Sequence, residues 1–335
     1  MTRPTEGPNT LHGGRRTRRG GGGKGDRSMV PEVEFTSYYG RNIVKPAPWE
    51  ADIPAYLFSG GLAAGTSLIA AGADLTGRPA LCRAARLTAL GAIGFSGAVL
   101  VHDLGKPSRF LNMLRVAKLT SPMSVGTWIV TAFGGAAGAA AAGEVVDMLP
   151  DQVRRPLRWI SPLARPGGLA AAALAPALGT YTAVLLSDTA TPSWHSAYRE
   201  LPFLFAGSAA AASGGWAIAV APLVESGPAR RLAIGGAALE LVAEPVMERS
   251  MGITAEPLRQ GKAGRLMSAA RVLTLGGAVG ALLSGRSRTL SVLSGAALVA
   301  GSVCTRFGVF EAGQESAKDP RYTVVPQRER LAARG

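Results

Sequence analysis

The sequence predicts an all-α, polytopic membrane protein of eight transmembrane helices arranged as two four-helix bundles. Four stretches of the 335-residue chain, 53–73, 124–143, 167–187 and 201–224, contain no charged side chain. Each is near the ~20 residues needed to cross about 30 Å of hydrocarbon. Four further apolar stretches bring the total to eight between about residues 53 and 309. Lipid offers no water to satisfy backbone N–H and C=O groups, so such spans fold as helices. Hydrophobic residues make up 47% of the chain and charged residues 17%, a balance a soluble protein would have to hide in fully apolar core helices.

The first helix opens near Pro54, a residue suited to a first helical turn, and runs to residue 73. The second covers 86–102 and stops before Gly105, a C-terminal cap residue. The third, 124–146, carries the run GGAAGAAAAG, and the fifth, 201–224, the run AAASGG. Small residues let membrane helices approach closely, so the 44 glycines read as helix packing; they also hold mean hydropathy to only +0.19. The fourth helix is placed at 167–188. The sixth (230–247), seventh (268–283) and eighth (289–309) are interrupted by polar residues.

A weak internal echo supports two halves. Asp52-Ile53-Pro54 opens the first helix, and Glu200-Leu201-Pro202 opens the fifth, about half the spans later. The resulting organisation is a disordered, basic, Gly-rich lead at 1–50, a first bundle at 51–190, a second at 191–312 and a polar tail at 313–335. Eight spans put both termini on one side, together with the loops 102–123, 188–200 and 248–267. The Lys and Arg distribution leans towards that side being cytoplasmic.

The net charge of +14 comes largely from loops and tails. Nucleic acid is an unattractive partner, because the amino-terminal GGRRTRRGGGGKG has no interleaved aromatics. Membrane lipids are the better partner for that segment. Cys82 and Cys304 cannot supply an iron–sulfur cluster within this chain. His12, His102 and His195 are too few and too poorly placed for paired haem ligands. No metal site is expected.

Two groups of residues can carry chemistry. His102-Asp103, at the end of the second helix, can exchange a proton near neutral pH, or can be a solvated helix end capped by Gly105. Glu240 and Glu244 lie four apart on the sixth helix, with Arg271 and Arg306 as candidate counter-charges. Charges inside a span are costly and face the bundle interior or water, as a buried ion-pair network or as a proton path.

The segment HDLGKPSRFLNMLR, followed by SPMSVGTW, resembles the NrfD/PsrC family of polysulfide reductase NrfD-type membrane anchor subunits. The lead WEADIPAYLFSGGLAAG and the stretch from Tyr181 to Leu186, ending in Pro192-Ser193-Trp194, are similar to it too. The resemblance spans about residues 45–310. It implies an eight-helix subunit in the bacterial plasma membrane, exchanging electrons between menaquinone or another quinone and a 4Fe–4S ferredoxin-like subunit. That partner is in turn linked to a molybdopterin catalytic subunit of the formate dehydrogenase or polysulfide reductase kind. The resemblance implies a quinone site at Asp52, Tyr56 and Tyr181, with His102 and Asp103 on the same membrane face. Lys106, Arg109 and Lys118, in the adjoining loop, would meet the iron–sulfur partner.

A multi-pass transporter or a proton-translocating channel subunit is the alternative. The two-fold echo and the intramembrane charges favour it. Against it, Pro176 and Pro245, the candidate helix breaks, do not occupy matching positions in the two halves.

Overall fold

The computed structural model describes residues 42–333, among which there is no strand. Most of the basic Gly-rich lead expected to be disordered lies outside the described residues. Eight helices of 20 residues or more follow one another: α1 (Asp52–Leu75), α2 (Pro79–Asp103), α3 (Pro122–Met148), α4 (Ala164–Ser187), α5 (Leu201–Val220), α6 (Gly227–Ser250), α7 (Gly261–Leu283) and α8 (Arg288–Lys318). Short helical turns lie in the connections between them, and a further helix, α9 (Arg321–Ala332), ends the described chain. Seven of the eight long helices, all but α6, are long and apolar enough to cross a membrane. The chain is a multi-pass membrane protein.

Local chemistry sets the helix ends. α2 begins at Pro79, seven residues before the expected start, because Arg83 and Arg86 are neutralised rather than excluded. Arg86 pairs with Glu144 of α3 at 2.5 Å and approaches Asp74 of α1 at 3.7 Å. α5 stops at Val220, four residues early, because Ala221 precedes Pro222 and adopts extended backbone (ψ 157°). α8 runs nine residues past its expected end at 309 and stops just before Pro320. The residues expected to form a polar tail from 313 therefore begin inside α8 and continue into α9.

α1 and α5 form the centre. Of their most apolar stretches, 78% and 67% is buried, against 28–50% in the other five candidate spans. α1 packs on α2, α4, α5 and α8; α5 packs on α1, α4, α6 and α8. The α5–α6 contact depends on glycine. A Cβ on Gly214 would lie 2.4 Å from the Ala233 nitrogen, and one on Gly236 would lie 2.4 Å from the Ala211 nitrogen. Backbone-to-backbone approach of this kind is how membrane helices gain dispersion energy without a hydrophobic drive between them.

The end of the protein where α1 begins, called here the near end, is tied together by long-range hydrogen bonds. Gln314 of α8 donates to the Ala47 and Trp49 carbonyls at 3.0 and 3.1 Å, and the Trp194 indole donates to the Val309 carbonyl at 2.8 Å. The connection 104–121 also belongs to this end, since it joins the end of α2 to the start of α3.

Candidate functional site

At the near end, α1, α2, α3 and α4 enclose a narrow slot of about 90 Å³. Ile53, Leu100, Val130 and Leu185 give it apolar walls, and Phe110, Met113 and Met123 close on it from the connection 104–121 and the start of α3. The hydroxyls of Tyr56, Tyr181 and Thr127 and the carboxylate of Asp103 supply its polarity. Tyr56 of α1 and Tyr181 of α4 stand with their oxygens 2.5 Å apart, although 125 residues separate them. Tyr56 is 1% exposed. Its neighbour one turn earlier on α1, Asp52, meets His102 at the end of α2, with Oδ2 2.6 Å from Nδ1. Asp103 also lines the slot.

Gly126 explains how Tyr181 reaches this place. A Cβ there would lie 2.1 Å from Tyr181 Cε2 and 2.6 Å from its hydroxyl oxygen. The ring of Tyr181 therefore occupies the space that any larger residue at 126 would take. The glycine of the SPMSVGTW motif is a packing requirement of the tyrosine on the facing helix.

All five residues expected around a quinone thus gather at one end, with one change of partnership. His102 pairs with Asp52 across the α1–α2 interface, not with its sequence neighbour Asp103. The His102 side chain is 81% exposed, so this pair touches solvent, whereas Tyr56 is buried and Tyr181 half-buried. Lys106, Arg109 and Lys118 are exposed on the connection beside the slot and form no ion pair with another described residue. Sequence reasoning missed Gly126 and the residues closing the slot from 104–123. Only the glycine left a signal, as the small residue inside a motif.

The second group separates into two environments. Glu244 pairs with Arg271 at 2.9 Å, and Arg271 also pairs with Glu248, which binds Arg259 at 2.7 Å. Glu248 was overlooked, though it continues the spacing of four from Glu240 and Glu244. Glu240 instead accepts a hydrogen bond from the Thr305 hydroxyl at 2.6 Å. Arg306, expected as a counter-charge, forms no ion pair within 4.0 Å among the described residues; it donates to the Phe205 carbonyl at 2.7 Å. A third network, at the far end, was not anticipated: Arg86, Arg83 and Arg165 with Glu144 and Asp74.

A family model described as polysulphide reductase, NrfD, matches residues 41–231, more than half of the chain, including α1 to α5 and every residue of the slot. No curated protein matches the chain.

Proposed function

The chain belongs to the polysulphide reductase NrfD family, and we propose that it is the quinone-reactive membrane subunit of a bacterial respiratory oxidoreductase complex. The observation that carries this reading is the slot itself. It offers apolar walls for a ring, two adjoining hydroxyls for a carbonyl, and a solvent-touching His–Asp pair one turn away. A bound quinone would supply a two-electron, two-proton redox couple. Tyr56 and Tyr181 would orient its carbonyl, with one hydroxyl donating to the other and the second donating to the ligand. His102, held by Asp52, is placed to pass protons between the slot and the near-end water.

Electrons need a second redox partner outside the chain, because Cys82 and Cys304 cannot hold a cluster. In this reading a ferredoxin-like 4Fe–4S subunit docks on the near end, over the connections 104–121 and 188–200, with Lys106, Arg109 and Lys118 at its border. That subunit links to a molybdopterin catalytic subunit acting on formate, polysulfide or a similar substrate.

We also read α6 as an eighth span, giving two four-helix bundles, about 51–190 and 191–312, in the plasma membrane. The face α6 exposes between its ends is apolar, with Leu239, Val242 and Val246 outward, while Glu240 and Glu244 are each 3% exposed. Charges turned in and apolar groups turned out suit a helix surrounded by lipid.

The test is purification of the tagged chain from its native membrane, with cross-linking from Lys106 and Lys118 and assay of quinol oxidation. Recovery of an iron–sulfur subunit linked to that loop supports the reading. Linkage only at the far end, around Arg154–Arg158, refutes the docking face; loss of neither activity nor quinone binding in Tyr181→Phe refutes the slot.

A further inference from the structure

Glu240 and Arg306 are the charged groups that the slot leaves unused. Each lies in the middle third of its helix, and they are 3% and 0% exposed. A charge at that depth is costly unless it is paired and hydrogen-bonded. Glu240 sits among hydroxyls: Thr305 donates to Oε1 at 2.6 Å, and the Thr274 hydroxyl stands 3.4 Å from Oε2. Arg306 is less well served. One nitrogen donates to the Phe205 carbonyl, and the guanidinium lies 3.7 Å over the Phe205 ring. Its Nε and Nη1 are buried and have no partner among the described residues. Buried polar groups left unmatched by protein atoms bind ordered water. A bound anion would leave the site with excess negative charge, since Glu240 already balances Arg306.

A line of ionisable groups leads to this place from the near end. Arg259 has a side chain 57% exposed and binds Glu248; Glu248 shares Arg271 with Glu244; Glu244 is one turn from Glu240. Thr274, beside Glu240, is three residues beyond Arg271 on α7. Towards the far end, α6 buries only small residues against α5, with Ala237, Ala233 and Ala229 each 0% exposed. Beyond Glu240 the hydroxyls of Ser208 and Ser302, hydrogen-bonded to each other at 2.8 Å, carry no charge, so the ionisable line ends at Glu240.

We propose that Glu240, together with Arg306 and its bound water, is a proton-loading site at mid-depth in the membrane, reached from the near end along Glu248, Arg271 and Glu244. It is separate from the Tyr56–Tyr181 slot and stands whether or not that slot takes quinone. Loading moves one proton from near-end water to the Glu240 carboxylate. One O–H bond of a hydronium breaks, one O–H bond forms on the carboxyl oxygen, the hydronium leaves as water, and no electron is transferred. Arg306 stays cationic when Glu240 is neutral, held by the Phe205 ring and carbonyl. The charged groups around Glu240 are Arg306 from α8, Glu244 from its own helix and, through Glu244, Arg271 from α7. α5 presents Phe205 and Ser208, and α1 presents Gly61, none of them ionisable.

The experiment is infrared difference spectroscopy of the full chain in lipid nanodiscs, between alkaline and acidic buffer, in H2O and D2O. The wild type should gain a protonated-carboxyl C=O band that moves to lower frequency in D2O. Glu240→Gln should lose that band, and Tyr181→Phe should keep it. Glu240→Asp, which keeps a carboxyl if the Gln variant does not assemble, should shift it. Glu248→Gln should keep its amplitude and slow its exchange in D2O. The proposal is overturned if the wild type has no such band, if Glu240→Gln retains it, or if Glu240→Asp leaves its frequency unchanged. Unchanged exchange in Glu248→Gln overturns the route.

Discussion

Gly126→Ala tests the slot without touching either tyrosine. The new methyl carbon would begin 2.1 Å from Tyr181 Cε2, and ordinary van der Waals contact starts near 3.4 Å, so the ring must move by at least 3.4 − 2.1 = 1.3 Å. A shift of that size along the line to Tyr56 would open the hydroxyl contact from 2.5 to 3.8 Å, beyond hydrogen-bonding reach. Leaving a buried hydroxyl unpaired costs about 1–3 kcal/mol, which is about 5- to 150-fold in apparent affinity or rate. The helix itself is not harmed, because replacing Gly by Ala inside a helix favours folding by about 0.5–1 kcal/mol. The clash costs about 1–3 kcal/mol, more than that gain, so Gly126→Ala should assemble, unfold somewhat earlier than the wild type and lose quinol oxidation to about the extent that Tyr181→Phe does. The double variant should be no worse than Tyr181→Phe alone, since both changes remove one interaction. Wild-type turnover in Gly126→Ala, or fully additive losses in the double variant, would refute the argument that Tyr181 is positioned by that glycine for a ligand.

His102→Ala should slow quinol oxidation while sparing thermal stability, because an 81% exposed side chain contributes little to packing; equal turnover across the pH range would remove it from the proton route. Glu244→Gln should lower the yield of folded protein, with a loss of about 1–2 kcal/mol once the half-exposed Arg271 is allowed for. Unchanged thermal unfolding in detergent would remove Glu244 from the structural clamp. Reporter fusions after Gly77 and after Lys118 should give opposite signals, and matching signals would overturn the topology. Val242→Asp should impair membrane insertion by about 2.5–3.5 kcal/mol if α6 is surrounded by lipid, and should be silent if α6 is bathed in water.

What the sequence made legible follows from how local each signal is. A chargeless run such as 167–187 declares its span by itself, because the bilayer judges each segment separately. α6 does not, since a hydropathy window averages Glu240 and Glu244 with Leu239 and Val242 and cannot register which way each points. The start of α2 was misplaced for the same reason. Arg83 and Arg86 look like a helix boundary until Glu144, 58 residues on from Arg86, is seen to neutralise them. Tyr56 and Tyr181 were implied by resemblance, but no spacing in the chain announces that their hydroxyls touch. His102 was legible as a titratable helix end, while its partner Asp52 was not, because the α1–α2 pairing is a tertiary fact.

The three polar networks divide the work of a membrane protein between holding and reacting. The far-end network binds α1, α2, α3 and α4 through Arg86, Asp74, Glu144 and Arg165, where every carboxylate has a guanidinium within 4.0 Å. Glu244 and Glu248 are matched to Arg271 and Arg259 in the same way. Breaking either network leaves a charge uncompensated, so both act as clamps, and the second also forms the route proposed for protons to Glu240. The near-end slot and the Glu240–Arg306 site contain no ion pair between the groups that define them. Tyr56 and Tyr181 satisfy one another yet retain hydrogen-bonding capacity towards an apolar slot, and Arg306 keeps two N–H groups without protein partners. Incomplete pairing at such depth is tolerated where something other than the chain completes it. Asp74 Oδ2 and Arg86 Nε in the far-end network also lack a hydrogen bond, but each of those groups has an opposite charge within 4.0 Å, whereas Arg306 has none among the described residues; that difference is what favours the slot and Glu240–Arg306 as the places proposed for a ligand and a proton.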